Sequence, residues 1–122
     1  MNKLQFQKWL NKLGAAWINR DPNAASNLFA QKVTYYEYPF EKPYKNRQAV
    51  KKLWDDVPVS QKAVTFKHDI ITITKDTGIA HFTAEFTRKE NNKRVLLDGI
   101  FLVRLNEDIQ CAFFKWWWVT KE

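Results

Sequence analysis

The chain has 122 residues, which suits one domain with a single hydrophobic core and is too short for two ordinary domains. Hydrophobic residues make up 45% and charged residues 27%, a balance typical of a globular protein. The net charge of +7 comes from Lys and Arg residues spread along the chain, a pattern of solvent-exposed faces that argues against nucleic-acid binding.

The composition also argues against several kinds of site. Only three Gly are present and no G-x-G-x-x-G or Walker A motif occurs, so we expect no phosphate-binding glycine loop. The single cysteine, Cys111, cannot form an intrachain disulfide and has no Cys or His beside it at metal-ligand spacing. No apolar run approaches a membrane span or the core of a secretory signal. We therefore predict a soluble, cytoplasmic protein without a membrane segment, a metal or another cofactor.

Two helices are predicted at the N-terminus. Apolar residues recur every three or four positions over residues 3–19, which indicates an amphipathic helix. Asp21 followed by Pro22 is a helix N-cap followed by proline at the first helical position. A second, short helix therefore starts there and should end near Phe29.

A strand, a third helix and four long strands follow. The run "KVTYYEY" is rich in β-branched and aromatic residues and predicts a strand that ends at Pro39. Asn46 can cap a helix over residues 47–54. The remainder forms four strand-like runs separated by the turn signals "KDTG", "KENNK" and "NED". Helices followed by a strand meander predict an α+β fold, with the helices on one face of a curved antiparallel sheet.

Alternation along these strands predicts two faces. With tight turns at 90–93 and 106–109, Ala84 lies beside Gly99, and Gly99 lies beside Trp116. The concave face, under the helices, then carries Ala80, Phe82, Ala84, Phe86, Leu97, Gly99, Phe101, Val103, Ala112, Phe114 and Trp116. The convex face carries Asp98, Ile100, Leu102, Arg104, Phe113, Lys115 and Trp117. Because so apolar a sheet face usually has a partner, we predict a homodimer through the convex face.

Three stretches, taken in order, resemble a known superfamily. They are "AAWINRDPNAASNLFAQKVTYYEYP", "YKNRQAVKKLW" and "LDGIFLVRLNEDIQCAFFKWW". Together they are similar to the nuclear transport factor 2-like superfamily, which includes SnoaL-like polyketide cyclases and ketosteroid isomerases. The resemblance covers nearly the whole chain and implies one domain over residues 1–122. It implies three N-terminal helices on a strongly curved antiparallel sheet, a cone-shaped α+β barrel with a pocket between helices and sheet.

The catalytic residues of ketosteroid isomerases do not carry over. In those enzymes the base is an aspartate just before the proline that ends the first strand, and this position is Tyr38 here. Their hydrogen-bonding tyrosine falls on Leu13, and their neutral acid falls on about Phe101. Ketosteroid isomerase chemistry is therefore not expected. The resemblance is instead to uncharacterised members of the superfamily.

Several polar side chains are candidates for chemistry. Tyr36 and Tyr38 alternate onto one side of the first strand, which the resemblance turns towards the pocket, so Glu37 points the other way. Either phenol could hydrogen-bond a ligand oxygen, or could fill the cone with its hydroxyl at the mouth. Glu41 could reach the mouth or pair with a neighbouring lysine in solvent.

The histidines do not predict a metal site. With a tight "KDTG" turn, His68 and His81 share a face with Glu85, but they are too far apart along the ladder to converge on one ion. The same register puts Asp69 on the pocket face, where it is a further candidate carboxylate.

Two functions stay open at this point, with nucleic-acid binding as a third and weaker possibility. The first is binding of a small, largely apolar or aromatic molecule, with cofactor-independent isomerase-, cyclase- or lyase-type acid–base chemistry through Tyr38, Asp69 or Glu41. The second is a non-catalytic, dimeric binding or assembly module whose pocket is filled by its own side chains. The expected ligand-binding residues are Trp17, Tyr36, Tyr38, Trp54, Phe82, Phe101, Phe114 and Trp116.

Overall fold

A computed structural model describes residues 1–122 as four helices and five strands. The helices are α1 (Lys3–Ile18), α2 (Pro22–Ser26), α3 (Arg47–Trp54) and α4 (Asp56–Ser60). The strands are β1 (Phe29–Tyr36), β2 (Gln61–Thr74), β3 (Thr77–Arg88), β4 (Arg94–Leu105) and β5 (Cys111–Lys121). Helices α1 to α3 are the predicted ones, and α4 is an additional short helix. None of the four is long and apolar enough to cross a membrane.

Local sequence signals set the starts of the first three helices. Asn2 and Gln5 form a reciprocal capping box at α1, each side chain accepting the other's backbone N–H. Asp21 and Asn46 each accept the backbone N–H three residues further on, at 3.1 and 2.8 Å, and Pro22 occupies the first turn of α2. These caps satisfy N–H groups that a helix leaves unpaired, so the helices begin where the sequence predicts.

The strands form one sheet in the order β1-β5-β4-β3-β2. Strands β2 to β5 are an antiparallel meander, as predicted. Strand β1 instead pairs in parallel with β5, Tyr35 lying beside Phe114, so the sheet is mixed and open, with β1 and β2 at its edges. The predicted class, α+β with N-terminal helices on a curved sheet, is confirmed.

Both predicted registers differ from the observed ones by two residues. Phe82 pairs with Gly99, and Gly99 pairs with Trp118. A shift of two keeps each side chain on its predicted face, because strand side chains alternate with a period of two. Ala112 is the exception: a bulge in β5 opposite the end of β4 turns Cys111 into the core in its place.

Aromatic rings fill the space between the helices and the inner face of the sheet. Trp17 on α1 lies 5.7 Å from Trp54 on α3 and 6.0 Å from Trp116 on β5. Deeper in the core, Phe82 and Phe101 stack at 4.2 Å. One continuous aromatic cluster therefore joins α1, α3 and the sheet, and it forms part of a buried core of 25 residues.

The outer face of the sheet keeps exposed apolar side chains. Ile100 and Trp117 face each other across β4 and β5, and each is 40% exposed. Val119, next along the same face, is 72% exposed. Within one chain nothing covers this patch.

Gly99 is the position where the sheet tolerates a side chain least. A Cβ at Gly99 would overlap the carbonyl oxygen of Trp117 and lie 2.8 Å from the ring of Phe82. We predict that Gly99→Ala lowers the free energy of unfolding by about 3 kcal/mol, because backbone on the neighbouring strand must move. Urea denaturation measures this change.

Gly14→Ala is the matched control. A Cβ at Gly14 would meet the ring of Phe66, a half-buried side chain able to shift, and alanine favours the helix by about 1 kcal/mol. We expect Gly14→Ala to cost less than half as much as Gly99→Ala. Equal losses in the two variants would refute the close approach at Gly99.

Candidate functional site

A cavity of about 410 Å³ lies between the helices and one end of the sheet. Helices α1, α3 and α4 form one side of it, and the ends of β1, β3 and β5 with the start of β4 form the other. Its wall is mostly aromatic and aliphatic. The rings include Trp17, Trp54, Trp116, Trp118, Tyr38 and Phe86, and the charged side chains are Glu37, Asp56 and Arg88.

Glu37 lies in this wall, immediately after β1. Its Oε1 atom accepts a hydrogen bond from Trp116 Nε1 at 2.8 Å and a longer one from the Tyr35 hydroxyl at 3.5 Å. Trp54 Nε1 donates in turn to the Tyr35 oxygen at 3.2 Å. No protein group donates to Glu37 Oε2, and no fully buried side-chain oxygen lacks a partner, so Oε2 is partly accessible, and Glu37 lines the cavity.

The surroundings of Glu37 change its acidity. Burial raises the pKa of the Glu37 carboxyl to about 7 from its ordinary 4.5, although the bonds from Trp116 and Tyr35 act in the opposite direction. Burial also raises the pKa of Tyr35, so its phenol stays protonated and donates. A carboxyl that titrates near neutral pH can both give and accept a proton, which is the property of a general acid or base.

The inward direction of Glu37 corrects the prediction that it points away from the pocket. In β1 the inner residues are Val33 and Tyr35, and Glu37 continues this alternation. Tyr36 therefore faces outward, where it packs on Phe113 at 5.9 Å. The apolar Val33 beside the polar Lys32 was the sequence signal for this phase.

The predicted ligand-binding residues divide into three groups. Those in the cavity wall are Trp17, Tyr38, Trp54 and Trp116. Phe82, Phe101 and Phe114 are fully buried beneath the cavity and do not line it. Tyr36 lies outside the cavity, with the Lys115 ammonium 4.8 Å from its ring centre.

Tyr38 lies at the mouth of the cavity. It is 47% exposed, and its ring packs against Trp118 at 5.3 Å. Desolvation, followed by the charges of Glu37 and Glu41, raises the pKa of Tyr38, so the phenol is a hydrogen-bond donor at neutral pH. Glu41 itself is exposed and does not line the cavity.

Asp69 lies on the outer face, contrary to prediction. A bulge between Ile70 and Thr72 adds one residue to β2, so, counted back from the turn that joins β2 to β3, every side chain before the bulge changes face. The Asp69 side chain is 88% exposed, and its Oδ2 lies 4.0 Å from Nδ1 of His81. A pocket role for Asp69 is therefore corrected.

The same bulge separates the two histidines. His81 stays on the outer face, where its Nε2 lies 2.8 Å from Asp98 Oδ1. His68 turns inward, and its Nε2 lies 2.6 Å from Gln7 Nε2 of α1. Their predicted common face is wrong, and no group of three or more His, Cys, Asp or Glu side chains is arranged to hold a metal ion.

Two further groups complete the chemistry of the wall. Arg88 is paired with Glu122, the closest nitrogen–oxygen distance being 2.7 Å, so a carboxylate already offsets its charge. Asp56 has no basic partner and accepts a hydrogen bond from Ser60. Cys111 lies in the core, where burial raises the pKa of its thiol, and it is no nucleophile for this cavity.

The raised pKa of Glu37 makes stability depend on pH. The folded-state pKa of Glu37, about 7, exceeds its ordinary value of 4.5, so the protonated carboxyl stabilises the folded chain. This contribution to the free energy of unfolding is complete below about pH 4.5 and is lost as the pH rises through 7. Glu37→Gln keeps an acceptor but cannot ionise. We predict that the free energy of unfolding of Glu37→Gln, relative to that of the parent chain, rises by about 3 kcal/mol from pH 4.5 to pH 8, measured by urea denaturation.

Glu41→Gln, in the same loop but exposed, is the control for this change. It should leave the pH profile close to that of the parent chain. A constant stability difference between Glu37→Gln and the parent chain at both pH values would show that the Glu37 carboxyl titrates normally.

Solved structures with this fold come from several sources. A protein from Bacillus subtilis described as a "Putative Isomerase" has a TM-score of 0.82 at 16% identity, with 98% of this chain and 90% of that chain covered. A hypothetical protein with a ketosteroid isomerase-like fold from Catenulispora acidiphila, in complex with trimethylamine, has a TM-score of 0.77 at 15% identity, with 89% and 83% covered. SalBIII, an epoxide hydrolase/cyclase-like enzyme in pyran ring formation, has a TM-score of 0.78 at 15% identity, with 96% and 89% covered.

Comparison of the sequence identifies a family, although no single curated relative. No curated protein sequence matches the chain. The family model described as the SnoaL-like domain matches residues 10–112, which is most of the chain. At the low identities above, the structural neighbours show the fold alone, and that fold agrees with the superfamily that the sequence motifs indicate. The chain belongs to the SnoaL-like domain family.

Proposed function

We propose that this chain is a single domain that binds a small, largely apolar or aromatic molecule in the cavity, and that Glu37 exchanges a proton with it. The carrying observation is that Glu37, a carboxyl whose pKa is about 7 and whose Oε2 has no protein hydrogen-bond donor, lies in an aromatic cavity wall. The volume of about 410 Å³ lies within the usual range of ligand sites.

The reaction class follows from the geometry around Glu37. Trp116 and Tyr35 hold Oε1, so the carboxyl has a fixed orientation and Oε2 can take or give the proton. Tyr38 can donate a hydrogen bond to a ligand oxygen at the mouth. Proton transfer of this kind serves isomerase-, cyclase- or lyase-type reactions and needs no cofactor. The SnoaL-like fold does not decide among them, because one fold hosts many functions.

The second candidate is a non-catalytic binding or assembly module. It is favoured by the inner part of the cone, where Phe82, Phe101 and Phe114 leave no space between α1 and the sheet. In that case the cavity is only an indentation between helices and sheet. The two candidates differ in whether a small molecule binds there saturably.

We also propose that two copies associate through the outer sheet face. Ile100, Trp117 and Val119 are exposed there as one patch, and a sheet face of that kind is usually covered by a partner. A cytoplasmic location remains a prediction from the single, unpaired Cys111.

The dimer is tested by charging the centre of the patch. Ile100→Lys should convert a dimer into a monomer at micromolar concentration, because a lysine at a buried interface lacks a counter-ion. Light scattering after size-exclusion chromatography measures the mass. Asn23→Lys, at an exposed position of helix α2, is the control and should stay dimeric. A monomeric parent chain would refute the interface.

Ligand binding is tested with 2-naphthol, a neutral aromatic probe, followed by NMR titration. We predict saturable binding that Trp118→Leu weakens several-fold, because the loss of one aromatic contact is worth about 1 kcal/mol. Trp117→Leu is the matched control. The Trp117 indole lies on the outer face of the sheet, outside the cavity, and leucine keeps that face apolar. Absence of saturable binding in the parent chain would favour the non-catalytic module.

A further inference from the structure

The indoles of the cavity wall are steeply inclined to one another. Trp17 meets Trp54 at 84° and Trp116 at 65°, and Trp116 meets Trp118 at 52° with 4.7 Å between ring centres. Rings inclined in this way pack edge to face, and all four of these indoles line the cavity. The face of an aromatic ring carries negative potential and attracts organic cations, indole most strongly.

The charges of the wall favour the same sign of ligand. The chain as a whole is basic, with 20 Lys and Arg against 13 Asp and Glu. The cavity wall reverses this balance, because it contains two carboxyl groups, Glu37 and Asp56, and one basic group, Arg88. Glu122 already pairs with Arg88, so a cation entering the cavity meets a surplus of acidic groups.

Glu37 in particular has no counter-ion. No Lys, Arg or His nitrogen lies within 4.0 Å of its carboxyl, and its partners Trp116 and Tyr35 are neutral donors, both on Oε1. A carboxylate in an apolar wall is costly unless a positive charge accompanies it. A cation at Oε2 would supply that charge.

We propose that the ligand of this cavity is a small tertiary ammonium with apolar substituents on its nitrogen, whose single N–H proton Glu37 can accept and return. The inference rests on the proposed function, because it names the ligand class of the same cavity. The indoles contact the alkyl groups, and Glu37 Oε2 faces the charge. A primary ammonium fits less well, because it needs three acceptors and the wall is mostly apolar.

The test compares two probes of the same shape that differ in charge. Choline is a permanent cation that reports charge recognition alone, and 3,3-dimethyl-1-butanol replaces its charged nitrogen with carbon. We expect choline to bind at least about tenfold more tightly at pH 8, measured by NMR titration or calorimetry, because only choline gains cation–π and ion-pair attraction. Equal affinities for the two probes, or no choline binding at millimolar concentration, would overturn the ammonium proposal.

Two variants identify the groups that recognise the charge. Glu37→Gln should remove most of the preference for choline while leaving the neutral alcohol unaffected. Trp118→Leu should weaken choline binding, and Trp117→Leu, outside the cavity, should not. A preference for choline that persists in both cavity variants would place the cation elsewhere and refute the proposal.

The pH dependence gives an independent readout. Choline does not titrate, so its affinity for the parent chain should rise from pH 6 to pH 8 as Glu37 ionises, and this rise should disappear in Glu37→Gln. The other ionisable groups of the wall are Tyr35, Tyr38, Asp56 and Arg88, and the variant keeps all of them. A rise that persists in Glu37→Gln would assign the effect to one of those groups and count against Glu37.

The outcomes separate this inference from the proposed function. If 2-naphthol or the neutral alcohol binds as well as choline, the cavity is a ligand site but not an ammonium site. If neither the charged nor the neutral probes bind, the proposed function fails together with the inference.

Discussion

The parallel pairing of β1 with β5 is the constraint on which the candidate site depends. It brings the end of β1 beside the middle of β5, so that Glu37 accepts a hydrogen bond from Trp116, 79 residues further along the chain. All the other neighbouring strands pair in antiparallel order through short turns. Without this one long-range pairing, the aromatic wall and its carboxyl would lie on separate parts of the chain.

Burial of the Glu37 carboxyl in that wall lowers the free energy of unfolding. Burial of a carboxyl without a counter-ion disfavours its charged form, and the raised pKa is the direct consequence. A hydrophobic residue of similar size would pack there without this cost. The bonds that run from Trp54 to Tyr35 and from Tyr35 and Trp116 to Glu37 orient the group but do not neutralise it. Strongly perturbed groups of this kind concentrate at functional sites, which is why the acid–base proposal centres on Glu37.

The aromatic residues have two roles that the amino-acid composition does not distinguish. Phe82, Phe101 and Phe114 are fully buried and hold the helices on the sheet. Trp116 and Trp118 lie on the same face of β5 but further along it, where the helices no longer cover the sheet completely. The fold therefore has a closely packed inner part and a cavity at one end. The position of an aromatic residue along its strand decides whether it packs in the core or lines the cavity.

The sequence by itself determined helices α1 to α3, the four long strands and the faces of β3 and β4, because caps and alternating patterns act over a few residues. Its motifs, taken in order, also indicated the SnoaL-like family. Only the tertiary structure decided the partner of β1, the inward direction of Glu37 and the outward direction of Asp69. Bulges and long-range pairings depend on packing between distant segments, and a single extra residue reverses every face beyond it. The family resemblance implied a pocket between helices and sheet, but four of the eight predicted lining residues lie outside the observed cavity, and Glu37 was not predicted to face it.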